Sequence, residues 1–425
     1  MKSQTIQTLS ILLASATFCM GGLDVLYEWK YIAYEWDNPY DESSSRSDGR
    51  YDRKRIVPND VQQLSDGRVL VTTPKYYDNP ASLSIVSSRS ENGGPLLAPY
   101  PSWDWHKKSG DCSGITSVNR VRVDRCNRLW VVDSGKIGDE QVCPAKILTF
   151  DPTTDELLDT FEIPTELTYN PDDPSQGRVE IQVVETIGDN CEQTWAYIGD
   201  PEGFGLLIYN GTSIWRLNDK IFAPEAEQTN FVIDNESVRL DIGVGSMLLP
   251  PSGFVEEQPV LFKPLASVKG YAATREQMHY SYSGIDIQYY MCNYTIPSQE
   301  LARDYSSDGV LIAGFPLQTA IACWNLQYPL VDPYVEILDQ DSEKLQFVSG
   351  LKITKGIQNG VEGENVWVMT NRYQKFRLGS LDFSDVNFRI LGSNVADLVK
   401  GTYCETKSHE LVPTMEEKFF FKIEN

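Results

Sequence analysis

The chain has 425 residues, and its 37 Lys and Arg against 60 Asp and Glu give a formal net charge of −23. That charge excludes a nucleic-acid partner held by phosphate neutralisation and disfavours an anionic membrane surface. Hydrophobic residues at 41% and charged residues at 23% are values of a globular protein, and 22 Tyr and 9 Trp favour β-structure. With three His in total, the sequence offers little material for His-ligated metals or His-based acid–base chemistry.

The N-terminal segment has the layout of a secretory signal peptide. Lys2 is the only charged residue before Asp24, and the short apolar run 9–18 between them is followed by small residues. That run is shorter than the roughly 20 residues that span a bilayer. We therefore predict a signal peptide over residues 1–22, no membrane span, and a secreted, extracellular mature protein over residues 23–425.

Cysteines and glycosylation motifs agree with secretion. Seven cysteines follow the predicted signal peptide, and because none are spaced as C-x-x-C we predict no zinc site and no dithiol motif. In an oxidising compartment these cysteines are disulfide candidates, and an odd number leaves at least one thiol unpaired or intermolecular. Three N-x-S/T sequons predict glycosylation, at Asn210, Asn235 and Asn293.

A polar turn followed by a short β-branched or aromatic run recurs six times along the chain. The six runs contain Leu70, Trp130, Tyr197, Leu261, Leu311 and Val366. The steps between these positions are 60, 67, 64, 50 and 55 residues. Six copies of about four short strands predict an all-β fold, a single six-bladed β-propeller with long loops. A pair of β-sandwiches, which also carry strands at turn-separated intervals, is the alternative.

Two segments outside the repeats have sequence patterns that predict their local structure. Residues 395–400 follow the potential N-cap Asn394 and predict a short C-terminal helix. Residues 41–50 are polar and rich in turn formers, and we expect them to be flexible. No inter-domain linker interrupts the chain, so the sequence predicts one domain.

Motifs for catalysis are absent from the sequence. There is no G-x-S-x-G, no P-loop and no dinucleotide fingerprint, and we predict no catalytic residue, no cofactor and no metal. The catalytic alternative is a Ca²⁺-dependent propeller hydrolase built from side chains that follow apolar strands. Its candidate ligands are Asp133, Asp200, Asn325 and Asn371. We favour the other interpretation, in which these side chains bond to turn backbone.

Six motifs occur in order between about residue 25 and Cys404. They are residues 28–31 (Glu-Trp-Lys-Tyr), 94–101 (Gly-Pro-Leu-Leu-Ala-Pro-Tyr-Pro), 111–115 (Asp-Cys-Ser-Gly-Ile), 123–135 (Val-Asp-Arg-Cys-Asn-Arg-Leu-Trp-Val-Val-Asp-Ser-Gly), 323–325 (Cys-Trp-Asn) and 383–390 (Phe-Ser-Asp-Val-Asn-Phe-Arg-Ile). In content and order these motifs resemble the major royal jelly protein branch of the Yellow family. The resemblance implies a six-bladed propeller. It also implies a secreted insect protein with a role in nutrition, glandular or venom secretion, pigmentation, or binding of biogenic amines.

The resemblance also implies a disulfide pattern. The three bridges it places on this chain are Cys126–Cys191, Cys323–Cys404 and Cys112–Cys143. Cys292 has no counterpart in that pattern, and we expect its thiol to be free or intermolecular.

A ligand site in the sixth blade follows from the same resemblance. With Trp367 as the anchor, the Asn and the aromatic residue of the amine-binding salivary branch fall on Asn371 and Tyr373. Leu351 stands where that branch has Thr, and the missing hydroxyl disfavours an amine ligand. We therefore expect an apolar or amphipathic small molecule, such as a sterol, at the channel mouth near these residues. Blade packing is the alternative role for Asn371 and Tyr373.

The function that these observations predict is that of a secreted, non-enzymatic binding propeller, a glandular, nutritive or carrier secretion. The resemblance allows a small peptide partner or a homo-oligomer. The alternatives are a dopachrome-converting enzyme of the Yellow type and the Ca²⁺-dependent hydrolase.

Overall fold

The structure is a computed structural model that describes residues 22–106, 110–255, 258–358, 360–406 and 420–423. The predicted signal peptide lies outside the described residues, apart from Gly22. Among the helices of the described ranges, none combines the length and the apolar character needed to cross a bilayer.

The strands follow one another as a single N-terminal strand and then blade by blade. The N-terminal strand is β1 (Asp24–Trp29). The first blade contains β2 (Val61–Gln63), β3 (Val69–Thr72), β4 (Leu83–Glu91) and β5 (Gly94–Pro99). The second contains β6 (Val118–Val123), β7 (Leu129–Asp133), an inserted hairpin of β8 (Lys136–Ile137) and β9 (Glu140–Gln141), then β10 (Lys146–Asp151) and β11 (Glu156–Glu162). The third contains β12 (Glu180–Ile187), β13 (Gln193–Asp200), β14 (Gly205–Tyr209) and β15 (Ile214–Asn218).

A second hairpin separates the third blade from the fourth; its strands are β16 (Asn230–Ile233) and β17 (Glu236–Arg239). The fourth blade contains β18 (Val244–Leu248), β19 (Pro259–Pro264), β20 (Tyr271–Thr274) and β21 (Tyr290–Cys292). The fifth contains β22 (Arg303–Tyr305), β23 (Val310–Phe315), β24 (Ala320–Asn325) and β25 (Glu336–Gln340). The sixth contains β26 (Phe347–Gln358), β27 (Val361–Asn371) and β28 (Phe388–Asn394), and a last strand is β29 (Phe420–Lys422). The helices are α1 (Pro39–Ser47), α2 (Arg275–Tyr280), α3 (Tyr373–Leu378) and α4 (Val395–Leu398).

The blades close into a ring around the first strand of each blade. Strands β2, β6, β12, β18, β22 and β26 contact one another in this order, and β26 contacts β2 again. Neighbouring strands within a blade are antiparallel, and the first three strands of each blade follow one another in sequence apart from the hairpin inserted in the second blade. Strand β29 pairs with β21 as a fifth strand of the fourth blade. The sixth blade takes its outer strand from the other end of the chain, because β1 pairs with β28 from Asp24↔Gly392 to Trp29↔Phe388. The predicted six-bladed propeller is confirmed.

The six sequence repeats correspond to one structural position. Each of the six anchor residues lies in the second strand of its blade, in β3, β7, β13, β19, β23 or β27. These strands are flanked on both sides within the blade and packed between blades, which explains their continuous apolar runs. Residues such as Leu70, Tyr197 and Val366 are fully buried.

The segment predicted to be flexible is a helix instead. Helix α1 (Pro39–Ser47) overlaps most of the range 41–50, which we expected to be flexible. Asn38 caps its first turn, since Asn38 Oδ1 accepts a hydrogen bond from the Asp41 N–H at 3.1 Å. Pro39 is at a position where its fixed φ favours a helix start. A salt bridge of 2.7 Å between Glu42 and Arg46 adds one i,i+4 pair on the exposed face.

The three disulfides implied by the resemblance are present, and they join residues 31, 65 and 81 positions apart. They are Cys112–Cys143, Cys126–Cys191 and Cys323–Cys404. The longest one ties the segment after α4 to the third strand of the fifth blade. Cys292 is a free, buried thiol, and burial raises its pKa to about 11.

Candidate ligand-binding site

The channel along the propeller axis is filled by charged side chains from the first strands and the residues before them. Three cations pair with three carboxylates, as Arg120–Glu180 (3.0 Å), Lys352–Asp60 (2.9 Å) and Arg122–Asp304 (2.8 Å). Arg122 belongs to the second blade and Asp304 to the fifth, so this pair crosses the axis. All six residues are less than one fifth exposed at their side chains. The channel is therefore closed by ion pairs.

The close approach of β26 to the Asp60 carboxylate requires a glycine at position 350. A Cβ added at Gly350 in β26 would lie 2.7 Å from Asp60 Oδ1, which is closer than any real side chain allows. Asp60 also accepts the Val121 N–H at 3.1 Å. Burial lowers the pKa of Lys352, and the Asp60 carboxylate opposes that effect. One carboxylate thus links the first strands of three blades.

A cavity of about 470 Å³ opens above the channel, and we call it the mouth cavity. Its floor is formed at or just before the first strands, by Asn59, Asn119, Arg120 and Glu180. Its walls include residues that follow second strands, such as Tyr76 after β3, Glu202 after β13 and Phe376 after β27. The cavity therefore lies at the face of the propeller where second strands end and first strands begin.

Aromatic rings form one wall of the mouth cavity. Tyr373 and Phe376 are three residues apart in α3, so both rings lie on one face of that helix. Tyr76 contacts both of them, with ring centroids 6.0 Å from Tyr373 and 6.2 Å from Phe376. Tyr77 extends the wall to the rim, 6.1 Å from Phe376. Burial raises the pKa of Tyr76 well above its ordinary value, so its hydroxyl stays neutral and can donate.

Arg178 places a positive charge beside the aromatic wall of the mouth cavity. Its side chain is 4% exposed, Nε donates to Glu202 Oε1 at 2.7 Å, and Nη2 donates to the Gly138 carbonyl at 2.6 Å. The guanidinium lies over the Tyr76 ring, 5.6 Å from the centroid. Asp200 accepts the Arg178 backbone N–H at 2.7 Å and so fixes the start of this segment. Arg178 is therefore held rigidly beside the aromatic wall.

Glu180 is the acid at the floor of the mouth cavity. Burial raises the pKa of its carboxyl, and the neighbouring Arg120 guanidinium opposes that effect. Gln182 donates to Glu180 Oε1 at 2.7 Å, the same oxygen that Arg120 contacts. A carboxylate in this setting orients polar groups, and its raised pKa brings proton exchange closer to neutral pH.

The three residues expected at the ligand site are not together. Tyr373 lines the mouth cavity. Asn371 is buried beside it without lining it, since its amide donates to the Pro58 carbonyl at 2.8 Å and to Ser349 Oγ at 3.0 Å. Leu351 is 2% exposed and belongs to the apolar cluster between the fifth and sixth blades.

The position of Leu351 follows from strand alternation. Successive side chains of β26 point to opposite faces of the blade. Lys352 points toward Asp60 of the first blade, so Leu351 points the other way and packs with residues such as Ile312 and Val368. The expectation that Leu351 lies at the channel mouth therefore needs correction: it is a core residue between blades.

The strand-end carboxylates and amides considered for a Ca²⁺ site are engaged with backbone. Asp133 accepts the Thr116 N–H at 2.8 Å, and Asp200 accepts that of Arg178. Asn325 ends β24, the third strand of its blade, and an antiparallel third strand ends at the opposite face from the second. Within the part of the chain that the structure describes, no group of three or more His, Cys, Asp or Glu is arranged to hold a metal ion.

The three sequon asparagines lie on the surface or close to it. Asn235 and Asn293 are exposed, and Asn210 is partly exposed in the turn between β14 and β15. Asn210 Oδ1 accepts the backbone N–H of Thr212 at 3.1 Å and that of Ser213 at 2.8 Å. Their glycosylation stays a prediction.

Sequence reasoning missed most of the mouth cavity, above all Tyr76, Arg178, Phe376 and Arg377. A signal was available, because the cavity residues come shortly after a second strand or shortly before a first strand. Arg178 lies two residues before β12, and Tyr76 lies four residues after β3. Extending the repeat alignment to these flanking positions would have grouped them.

Comparisons with known proteins identify the family of this chain. The family described as "Major royal jelly protein" matches residues 116–404. Major royal jelly protein 9 of Apis mellifera is 35% identical over 388 residues, covering 90% of both chains, and major royal jelly protein 8 of the same species is 36% identical over 90% of this chain and 92% of its own. A Drosophila melanogaster protein named dopaminechrome tautomerase is 28% identical over 90% of this chain and 84% of its own. The chain belongs to the major royal jelly protein family.

Proposed function

We propose that this protein is a secreted binding propeller that takes an amphipathic small molecule in the mouth cavity and acts as a glandular, nutritive or carrier secretion without catalysis. The observation that carries the proposal is the aromatic wall of Tyr76, Tyr373 and Phe376 in a cavity of about 470 Å³. Small-molecule sites typically combine aromatic surface with a few fixed polar groups, and they measure roughly 300–1,000 Å³. Arg178 and Asn119 supply the polar groups here.

The filled channel below the cavity supports a site that holds its ligand at the mouth. The cross-axis pair Arg122–Asp304 and the pair Lys352–Asp60 occupy the axis beneath the floor. A molecule entering from this face meets paired charged groups below the floor and is held at the aromatic wall. Because the wall is apolar and the floor is polar, an amphipathic ligand satisfies both surfaces better than a purely apolar one.

Secretion is supported by the cysteines and by the N-terminal sequence. Three disulfides in one chain are typical of an oxidising compartment. The segment before Asp24 has the layout of a signal peptide. The exposed sequons at Asn235 and Asn293 are accessible to glycosylation.

Mass spectrometry of small molecules retained by the natively purified protein tests the binding proposal. We expect a retained organic molecule in the wild type and its loss in Tyr76→Ala, which removes the ring shared by both contacts of the wall. Tyr282→Ala is the matched control, since Tyr282 is 61% exposed and does not line the cavity. If Tyr76→Ala does not fold, Tyr77→Ala at the rim provides the same comparison. Retention unchanged in the cavity variants contradicts the proposal.

A second candidate function is tautomerisation of an aminochrome. The 28% identity to a protein named dopaminechrome tautomerase favours it, as does a buried acid with a raised pKa, Glu180, at the cavity floor. Proton transfer to and from a ring carbon requires such a group within hydrogen-bond distance of the substrate. Turnover of dopaminechrome by the purified wild type above the buffer rate would establish this function and overturn the non-enzymatic proposal.

A further inference from the structure

We infer that the mouth cavity selects planar aromatic molecules that carry a negative charge, with Arg178 and Arg377 as the anion-binding residues. The inference rests on the proposed function, namely that a small molecule occupies this cavity. It concerns the charge of that molecule.

Arg178 has an unused hydrogen-bond donor. Nε and Nη2 are bonded to Glu202 and to the Gly138 carbonyl, whereas Nη1 is buried and has no hydrogen-bond partner among the described residues. Leaving a buried donor of a charged group unsatisfied destabilises the protein, because the lost hydrogen bond to water is not replaced. A carboxylate or enolate oxygen of a ligand would satisfy it with a charge-assisted hydrogen bond.

Arg377 is the cation of the cavity lining that lacks a carboxylate. The other three arginines of the lining are paired, as Arg120–Glu180, Arg178–Glu202 and Arg239–Asp241. Across the described ranges, Arg377 has no salt bridge. Its guanidinium lies over the Tyr373 ring, 6.0 Å from the centroid, with a long contact of 3.5 Å to the Tyr373 hydroxyl.

The formal charges of the cavity lining sum to zero, so the groups without an ion-pair partner decide whether an anionic or a cationic ligand is preferred. Four arginines face four acids, which are Asp139, Glu180, Glu202 and Asp241. Three of those acids are in the pairs above, and the fourth, Asp139, is exposed to water. Arg377 is exposed as well, so these two screened charges largely offset each other, and the unbonded Nη1 donor of buried Arg178 favours an anion.

The aromatic wall and the floor define the rest of the ligand. Arg178 and Arg377 lie over Tyr76 and Tyr373, whose centroids are 6.0 Å apart, so both cations are next to the same ring pair. A planar aromatic ligand that packs on this pair places its substituents near both guanidiniums. At the floor, Asn119 Oδ1 is buried without a hydrogen-bond partner in the described structure, and a ring N–H or hydroxyl would satisfy it.

Calorimetric titration with three molecules that share an indole ring tests the inference. The probes are indole-3-acetate, neutral 3-methylindole and cationic tryptamine. We expect indole-3-acetate to bind about tenfold or more tightly than tryptamine, because a charge-assisted hydrogen bond replaces a like-charge contact. In Arg377→Gln, the affinity for indole-3-acetate should fall about three- to fivefold, because Arg377 is exposed, while that for 3-methylindole should change less than about twofold. Arg46→Gln is the control, because Arg46 is an arginine in α1 that does not line the cavity.

The outcomes separate the inference from the proposed function. Tighter binding of tryptamine than of indole-3-acetate, or no effect of Arg377→Gln on indole-3-acetate, overturns the inference and leaves a small-molecule site in place. Failure of all three probes to bind overturns the inference and removes support from an aromatic ligand in this cavity. A loss in Arg377→Gln that is equal for all three probes indicates a structural role for Arg377 and also contradicts the inference.

Discussion

The channel and the mouth cavity are built from the same residue types but differ in how completely their charges are paired. In the channel, each cation has a carboxylate within 3.0 Å, and the pairs connect residues of different blades that lie in the first strands or just before them. In the mouth cavity, Arg377 has no carboxylate and Arg178 keeps one donor unbonded, within the described residues. The difference shows that a buried arginine is evidence for a ligand site only if part of its guanidinium lacks a partner within the protein. An arginine that is fully paired holds the blades together instead.

The largest effect should come from breaking the channel pairs. Asp60→Asn leaves Lys352, and with it Arg120 at 3.9 Å, in a buried site without the compensating charge. Removing one partner of a buried ion pair costs about 3–5 kcal/mol, and we expect that loss in the free energy of unfolding measured with denaturant. Asp139→Asn at the exposed rim is the control and should change it by less than about 0.5 kcal/mol. A loss below about 1 kcal/mol for Asp60→Asn would show that the channel charges do not support the fold.

We expect acid to lower the free energy of unfolding of the propeller through protonation of His106. Burial lowers the pKa of His106 to about 4 from the ordinary 6.5, and the ring lies between the Ser82 N–H at 3.4 Å and the Tyr100 carbonyl at 2.9 Å. As the pH falls below 6.5 the unfolded chain binds this proton first, so stability decreases between pH 6.5 and about 4, by up to ~1.4 kcal/mol per pH unit.

The carboxylates also titrate in this range, so the measured quantity is the difference in slope between the wild type and His106→Gln. The variant should show the shallower pH dependence of the free energy of unfolding. Identical slopes would show that His106 does not carry the effect. The described lining of the mouth cavity contains no histidine, so the affinity of a neutral probe should not follow this titration.

A substitution at Leu351 should lower the free energy of unfolding by a smaller amount and leave ligand affinity unchanged. It therefore distinguishes the apolar core between blades from the mouth cavity. Leu351→Thr places an unpaired hydroxyl in the apolar cluster between the fifth and sixth blades, at a cost of about 1–3 kcal/mol. Because Leu351 does not line the mouth cavity, the affinity for 3-methylindole should be unchanged. Leu378→Thr, at a 52% exposed position in α3, is the control for stability. A change in affinity without a change in stability would return Leu351 to the ligand site.

The smallest effect concerns the exposed acid of the rim. Asp139→Asn removes a screened negative charge from the cavity lining, and we expect the affinity for indole-3-acetate to rise about twofold. Lower ionic strength should enlarge the difference. A decrease in affinity would indicate that Asp139 binds the ligand directly.

The fold could be predicted from the sequence because each blade repeats a local pattern. A turn followed by an apolar run marks the second strand, and a second strand is buried on both faces wherever it occurs, as Leu70 and Val366 are. Helix α1 was missed because its polar sequence has no apolar face, and its stability comes from the Asn38 cap and the Glu42–Arg46 pair.

The site could be predicted only in part. Tyr373 was found through the resemblance, but Tyr76 and Arg178 meet it only after the ring has closed and brought the first, third and sixth blades together. Leu351 was misplaced because a sequence alignment does not show which face of β26 a side chain occupies. Whether an arginine is structural or available to a ligand depends on its ion-pair partners. Those partners come from different blades and meet only in the folded ring.

A crystal structure of the protein with indole-3-acetate tests the central claim most directly. We predict the indole ring against Tyr76 and Tyr373, with the carboxylate within hydrogen-bond distance of Arg178 or Arg377. The ligand bound elsewhere, for example in the small apolar cavity beside Cys292 between the fourth and fifth blades, with none in the mouth cavity, would contradict the account.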